Sequence, residues 1–177
     1  DEVWFVEHDP VFTLGLNADR SHVLDPGDID VVQTDRGGQV TYHGPGQLVA
    51  YVMLDLRRLG LAIRPLVESL ERAVIDTVGG YGIDAQSRRD APGVYVEGAK
   101  LAAIGLRVRR GCSYHGLALN VNMDLSPFER INPCGMERLP VTQLADLGVG
   151  KESSEVRHDL LENLSRSIGS YLDEADS

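Results

Sequence analysis

Cysteine, long apolar runs and positive charge are all scarce in this chain, and each shortage removes a class of protein. Of its 177 residues only Cys112 and Cys134 are cysteines. Two thiols are too few for a disulfide scaffold and fit a reducing, cytoplasmic setting. The five histidines are scattered, and no His/Cys set has the spacing of a structural zinc site. We therefore expect neither a metal nor another cofactor. No apolar run approaches the ~18 residues of a membrane span, and Asp1-Glu2-Val3-Trp4 does not open a signal peptide. A formal net charge of −10 argues against nucleic acid, whose phosphates need a basic surface. With 42% hydrophobic and 25% charged residues, the composition is that of a soluble globular protein. Residues 1–177 suffice for one domain with its own core. The chain has no initiator Met and begins on a strand-like run, so we expect a segment ahead of residue 1.

What is abundant is glycine, and it concentrates in Arg36-Gly37-Gly38-Gln39-Val40-Thr41-Tyr42-His43-Gly44-Pro45-Gly46-Gln47. This stretch is too polar for a core strand, yet Val40, Thr41 and Tyr42 are too β-prone for a linker. It reads either as a strand, a tight turn and the next strand, or as a ligand wall. In the second reading, glycine lets backbone approach a ligand closely and Arg36 is available for an anion. Gly44-Pro45-Gly46 turns the chain in both.

Val3–Val6, Val11–Leu14 and Ile29–Val32 read as short strands, and Leu48–Leu56 as a longer, central one. Leu66, Leu70, Val74 and Val78 recur every fourth residue after Pro65, which predicts a helix ended by Gly79-Gly80. Gly93–Gly98, Leu101–Val108 and Ser113–Met123 follow as three closely spaced strands, an antiparallel meander. Ser126 is the expected cap of a short helix with Pro127 in its first turn, and Thr142 that of another over Gln143–Leu147. Ser153 or Ser154 opens a last helix with an apolar stripe at Val156, Leu160, Leu161, Leu164, Ile168 and Leu172.

Three residue types here can carry chemistry. Cys134, between Pro133 and Gly135, is either a small buried filler or an accessible nucleophile. Cys112, in a turn before a strand, is expected to pack. A cysteine nucleophile needs a base, and His43, His115 and Lys100 are the candidates. Lys100 has no carboxylate nearer in sequence than Glu97. It is either a solvated strand-start residue or, in apolar surroundings that disfavour ammonium, a proton acceptor. The arginines fall mid-chain, at Arg57-Arg58, Arg64, Arg72, Arg88-Arg89 and Arg107, Arg109, Arg110, while acids dominate both ends. They are ordinary surface residues, or a basic face that docks an acidic partner.

Four motifs stand in order along the chain: Arg36-Gly37-Gly38 through Gln47, Lys100 with Ala102-Ala103-Ile104-Gly105, His115-Gly116-Leu117-Ala118-Leu119-Asn120, and Pro133-Cys134-Gly135. Together they closely resemble the octanoyltransferases of lipoate biosynthesis, the lipoyl(octanoyl) transferases. The resemblance implies the fold of the biotin/lipoate protein ligase superfamily: α/β (α+β), with a mixed, largely antiparallel sheet and flanking helices. It implies transfer of octanoyl from octanoyl-acyl carrier protein to a lysine of lipoyl domains, in 2-oxoacid dehydrogenases and the glycine-cleavage H protein. Cys134 and Lys100 match the family's catalytic pair. Arg36, Gly37, Gly38, Gln39, Val40, Thr41, Tyr42 and His43 match its substrate wall, with Ala103, Ile104, Gly105, Gly116, Leu117 and Ala118. Members usually carry a helical segment before the first strand, which agrees with a missing start. We expect a cytoplasmic monomer with protein partners and no nucleic acid, membrane or metal. The rivals are an ATP-dependent lipoate or biotin protein ligase, a non-catalytic acyl-binding module, and a Cys–His thiol hydrolase using His43 or His115.

Overall fold

Apolar residues at every second position set the strands of this protein, and those at every third or fourth set its helices. The structure, a computed structural model, describes residues 1–133 and 139–175, with side chains through residue 169. In chain order the elements are β1 (Glu2–Val6), β2 (Val11–Leu14), β3 (Asp30–Gln33), β4 (Val40–His43), β5 (Gln47–Met53), α1 (Ile63–Gly79), β6 (Gln86–Ser87), β7 (Gly93–Val96), β8 (Ala99–Arg109), β9 (Cys112–Asn120) and α2 (Ser153–Ala175). Short 3-10 turns occupy Arg20–His22 and Ser126–Arg130.

The strands form two sheets. The larger has the order β1-β5-β9-β8-β7-β6, and every pair in it is antiparallel. The smaller has the order β3-β2-β4, with β2 parallel to β3 and antiparallel to β4. The expected mixed, largely antiparallel architecture is found, divided between these sheets, and β7-β8-β9 is the expected meander. Gly44-Pro45-Gly46 carries the chain from β4 in the small sheet to β5 in the large one.

Each sheet has its own core. On one face of the large sheet, Leu48, Ala50, Val52, Leu101, Leu117 and Leu119 meet Leu66, Leu70, Val74 and Val78 of α1 and Val156, Leu160 and Leu164 of α2. Burying each of these leucines and valines contributes roughly 1.5–3 kcal/mol before chain entropy is counted. The small sheet closes over Phe12, Leu14, Val40, Tyr42, Met123, Phe128 and Ile131. There the Tyr42 ring lies 5.5 Å from Phe12 and 5.5 Å, edge on, from Phe128.

Several local expectations are corrected. The strands end early, β5 at Met53 and β9 at Asn120. Ser126 is not a cap: Leu125 precedes the 3-10 turn, and the Ser126 N–H donates to Asp124 Oδ1 at 2.9 Å. Residues 144–148 form turns, not a helix capped by Thr142. Leu161 is 43% exposed, because one residue beyond buried Leu160 is about 100° around the helix. Cys112 is exposed, being the first residue of β9 beside the Arg110-Gly111 turn. The Leu172 side chain lies outside those described. No helix among the described residues is long and apolar enough to cross a membrane.

Candidate active site

Residues from both sheets line one cavity of about 280 Å³. Its floor is the face of the large sheet turned away from the helices. Val49, Ala118 and Ala103 form one cross-strand row, and Tyr51, Gly116 and Gly105 form the next. Small residues on β8 and β9 therefore leave the space. Val11 and Thr13 of β2, Val32 of β3, and Val40, Thr41 and His43 of β4 supply the facing wall.

The segment between β3 and β4 lies directly on β8. Gly37 N–H donates to the Leu106 carbonyl at 2.9 Å, and a Cβ at Gly105 would stand 3.1 Å from the Gly37 oxygen. Arg36 fastens it. Nε and Nη2 donate to Thr13 Oγ1 at 3.2 and 2.9 Å, Nη2 also donates to the Thr13 carbonyl at 2.7 Å, and Nη1 donates to the Gly37 carbonyl at 3.0 Å. The guanidinium thus lines the cavity while holding β2 and its own loop together.

Four aromatic or imidazole groups gather at the polar side. His8 Nε2 and the Tyr51 hydroxyl are 2.9 Å apart, and the His8 and His43 ring centres are separated by 5.7 Å. His115 takes φ +62° within β9, a left-handed backbone that is strained for a non-glycine residue. Its Nε2 lies 2.9 Å from Asp35 Oδ1, and the Tyr114 hydroxyl donates to the other carboxylate oxygen. Those two bonds, Tyr114 first, hold the Asp35 carboxyl below the usual carboxylate range. Among the described residues no three His, Cys, Asp or Glu side chains gather as metal ligands.

Among the groups that line the cavity, His43 has the marked shift. Burial lowers its pKa from 6.5 to about 4, against the opposing hydrogen bond of Gln47 and with help from the Arg36 charge. At neutral pH it is an uncharged imidazole, too weak a base to hold a thiol's proton. This counts against a Cys–His hydrolase built on His43.

Lys100, second in β8, is buried at 4% exposure. Its setting is not the apolar one expected. Nζ lies 3.4 Å from the Pro92 carbonyl oxygen and 5.2 Å from the Tyr95 ring centre. Glu71, on the inner side of α1, is buried nearby, and its Oε1 accepts the Gly93 N–H at 2.9 Å. Burial pushes the Glu71 carboxyl up, while the Gly93 N–H and the Lys100 charge pull it back. Gly93 has φ +142°, and a Cβ there would stand 2.6 Å from the Ala102 oxygen and 3.2 Å from Lys100 Cε. The Lys100 backbone is pinned as well: its N–H donates to Pro140 O at 2.8 Å, and its carbonyl accepts the Thr142 N–H at 3.0 Å.

Most residues of the expected substrate wall reach the cavity: Arg36, Gly38, Gln39, Val40, Thr41 and His43, then Ala103, Ile104, Gly105, Gly116, Leu117 and Ala118. Gly37 and Tyr42 do not line it. Gly37 faces β8, and Tyr42 points into the small core, because alternation along β4 turns it with Val40 inward. Lys100 stands three residues before Ala103, about 10 Å along the strand. Cys134 lies outside the described residues. Val49 and Tyr51 were missed by sequence reasoning, although the two-residue period of β5 could have found them; His8, Val11, Thr13 and Thr34 carried no local signal.

Residues 1–165 match the family model of the lipoyl protein ligase A/B catalytic domain. Over 171 residues the chain is 60% identical to an octanoyltransferase of Alkalilimnicola ehrlichii, covering 97% of this chain and 80% of that protein. It is likewise 60% identical over 168 residues to an octanoyltransferase of Pseudomonas entomophila, covering 95% and 78%. Among solved structures it resembles lipoate-protein ligase A bound with ATP, with TM-score 0.74, 19% identity and coverage of 94% and 72%. It also resembles the biotin protein ligase of Aquifex aeolicus, with TM-score 0.61, 16% identity and coverage of 91% and 70%. At those identities the structural likeness speaks for the fold.

Proposed function

Since the chain belongs to the lipoyl protein ligase A/B catalytic family, among its octanoyltransferases, we propose that it transfers octanoyl from acyl carrier protein to a lysine of lipoyl domains. The second substrates are those of 2-oxoacid dehydrogenases and the glycine-cleavage H protein. The observation that carries this reading is one strand with two properties. β8 holds buried Lys100 at its start and then supplies Ala103 and Gly105 to the floor of an apolar cavity. An eight-carbon chain buried on such a floor contributes about 0.8 kcal/mol per CH₂.

Cys134 is the nucleophile in this proposal and Lys100 its base. The Lys100 amine takes the thiol proton, and the thiolate attacks the thioester carbonyl. The carrier's carbon–sulfur bond breaks, and its thiolate leaves with the proton from Lys100. One thioester has replaced another, so this exchange is nearly balanced. The lysine amine of the lipoyl domain then attacks the acyl-enzyme and gives its proton to Lys100. Cys134 departs as thiolate and regains that proton, and the amide product draws the sequence forward. Backbone N–H groups near Cys134 or the glycine-rich wall form the oxyanion hole. The protein acts in the cytoplasm as a monomer, without metal or other cofactor.

Incubation with octanoyl-acyl carrier protein, followed by intact mass and peptide mapping, tests the reading. The expected result is a hydroxylamine-sensitive octanoyl group on Cys134, absent in Cys134→Ala and formed about a hundredfold more slowly in folded Lys100→Ala, the low end for loss of a general base. Acylation at Cys112, or no adduct, refutes it. Transfer from free octanoate only when ATP is present would make the protein a ligase.

A further inference from the structure

The proton on His43 is placed by a chain of bonds whose direction is set at both fixed ends. The Thr142 carbonyl can only accept, so the Asn120 group 3.0 Å from it is the amide Nδ2. Asn120 therefore presents Oδ1 to Gln47, whose Nε2 donates to it at 2.9 Å and to the Tyr42 carbonyl at 3.2 Å. Gln47, 2% exposed, must then turn Oε1 toward His43 Nδ1, at 2.7 Å. An amide oxygen cannot donate, so Nδ1 carries the proton and Nε2 carries the lone pair.

That lone pair has no partner among the described residues. No buried side-chain nitrogen or oxygen among them is left unsatisfied, so Nε2 opens to the cavity that His43 lines. The charges around it select what it can bind. The Arg36 guanidinium, which also lines the cavity, makes this side positive and disfavours a cation. A neutral N–H donor fits.

We propose that His43 is a substrate-positioning residue whose Nε2 accepts a hydrogen bond from an amide N–H in the thioester donor's carrier arm. This rests on the transfer reading above, and it assigns His43 to donor recognition instead of proton transfer. Asn120 and Gln47 act through His43, keeping its tautomer. The same segment that fixes Asn120, at Thr142, also pairs with the Lys100 backbone, so one strand-like piece orients both groups.

Two octanoyl thioesters test it: that of N-acetylcysteamine, which has an amide N–H, and that of O-acetyl-mercaptoethanol, in which an ester oxygen replaces it. The second-order acylation rate constant of the wild type is expected to favour the amide by about tenfold, the range of one hydrogen bond. His43→Asn keeps a donor toward Gln47 but has nothing at the Nε2 position, and should lose the preference. His43→Gln puts a carbonyl oxygen there and should restore part of it. A purely structural role would slow both thioesters equally. Nitrogen-15 NMR should show Nδ1–H and a bare Nε2 at neutral pH. An unchanged preference in His43→Asn, or a proton on Nε2, overturns the proposal alone. So does an unchanged preference with only the later transfer to a lysine peptide slowed, which would assign the bond to the incoming amine. A wild type that reacts with neither thioester overturns the transfer reading and takes this one with it.

Discussion

At His43 a single imidazole ties stability to pH. Its pKa is 6.5 when the chain is unfolded and about 4 when folded. Below 6.5 the unfolded chain binds a proton that the folded protein refuses. Stability from this group is therefore complete above pH 6.5 and is lost as pH falls from there to about 4, by up to roughly 3 kcal/mol. Urea unfolding of wild type and His43→Gln at pH 7 and pH 4.5 checks this; the variant should lose markedly less on acidification. An equal loss would show that other groups govern the acid limb. Glu71 runs the opposite way. Its carboxyl is raised by burial, so its contribution is full below the ordinary value of 4.5 and declines as pH rises. His43 stood out in the sequence by its motif, but Glu71 did not. Glu71 sits on a helix where a charged residue reads as solvent-facing, and its hydrogen-bond partner, Gly93, comes 22 residues later.

Among the elements, β9 shows how small residues make both a floor and a seam. A Cβ at Gly116 would stand 2.0 Å from the Ala50 carbonyl oxygen, which is backbone and cannot swing aside. Gly116→Ala should cost about 2–3 kcal/mol by forcing β5 and β9 apart. Gly150→Ala, with nothing within 4 Å, should stay within about 0.5 kcal/mol. Denaturant midpoints with an unchanged slope would confirm the pair, and equal losses would refute the steric account. The strands themselves were legible: alternation and short turns gave the meander β7-β8-β9, and the four-residue step gave α1. Their grouping into two sheets was not, because β4 and β5 are separated only by Gly44-Pro45-Gly46 and nothing local says that this turn changes sheets. Nor was the inward turn of Tyr42, which needed the period of β4 read from Val40. Arg36 looked free because its partner Thr13 lies 23 residues earlier.

For the whole molecule, the fold sorts the arginines that the sequence only clusters. Arg64 and Arg72 pair with Glu68 and Asp76 along α1, and Arg88 pairs with Asp90. Arg58 pairs with Asp1, whereas Arg57 lies against Gly111 of the β8–β9 turn, where the Leu56 N–H donates to the Gly111 carbonyl. Arg109 precedes that turn, Arg110 is in it, and Arg107 is exposed nearby, so arginines outnumber the neighbouring Asp1 and Asp55 at one end of an acidic molecule. If this end docks an acidic carrier, Arg57/Arg58→Glu and, separately, Arg107/Arg109→Glu should each raise the apparent KM for carrier protein several-fold, and added salt should shrink the difference. Identical kinetics at low salt for both double variants would sink that role. The cavity has a mechanical meaning too. Two sheets with separate cores share it as a joint, so an occupant touching both acts as a keystone and raises the cost of prying them apart. A ligand at a hundred times its dissociation constant adds about 2.7 kcal/mol in this way. Melting temperature alone, with no turnover, can thus rank acyl chains by length.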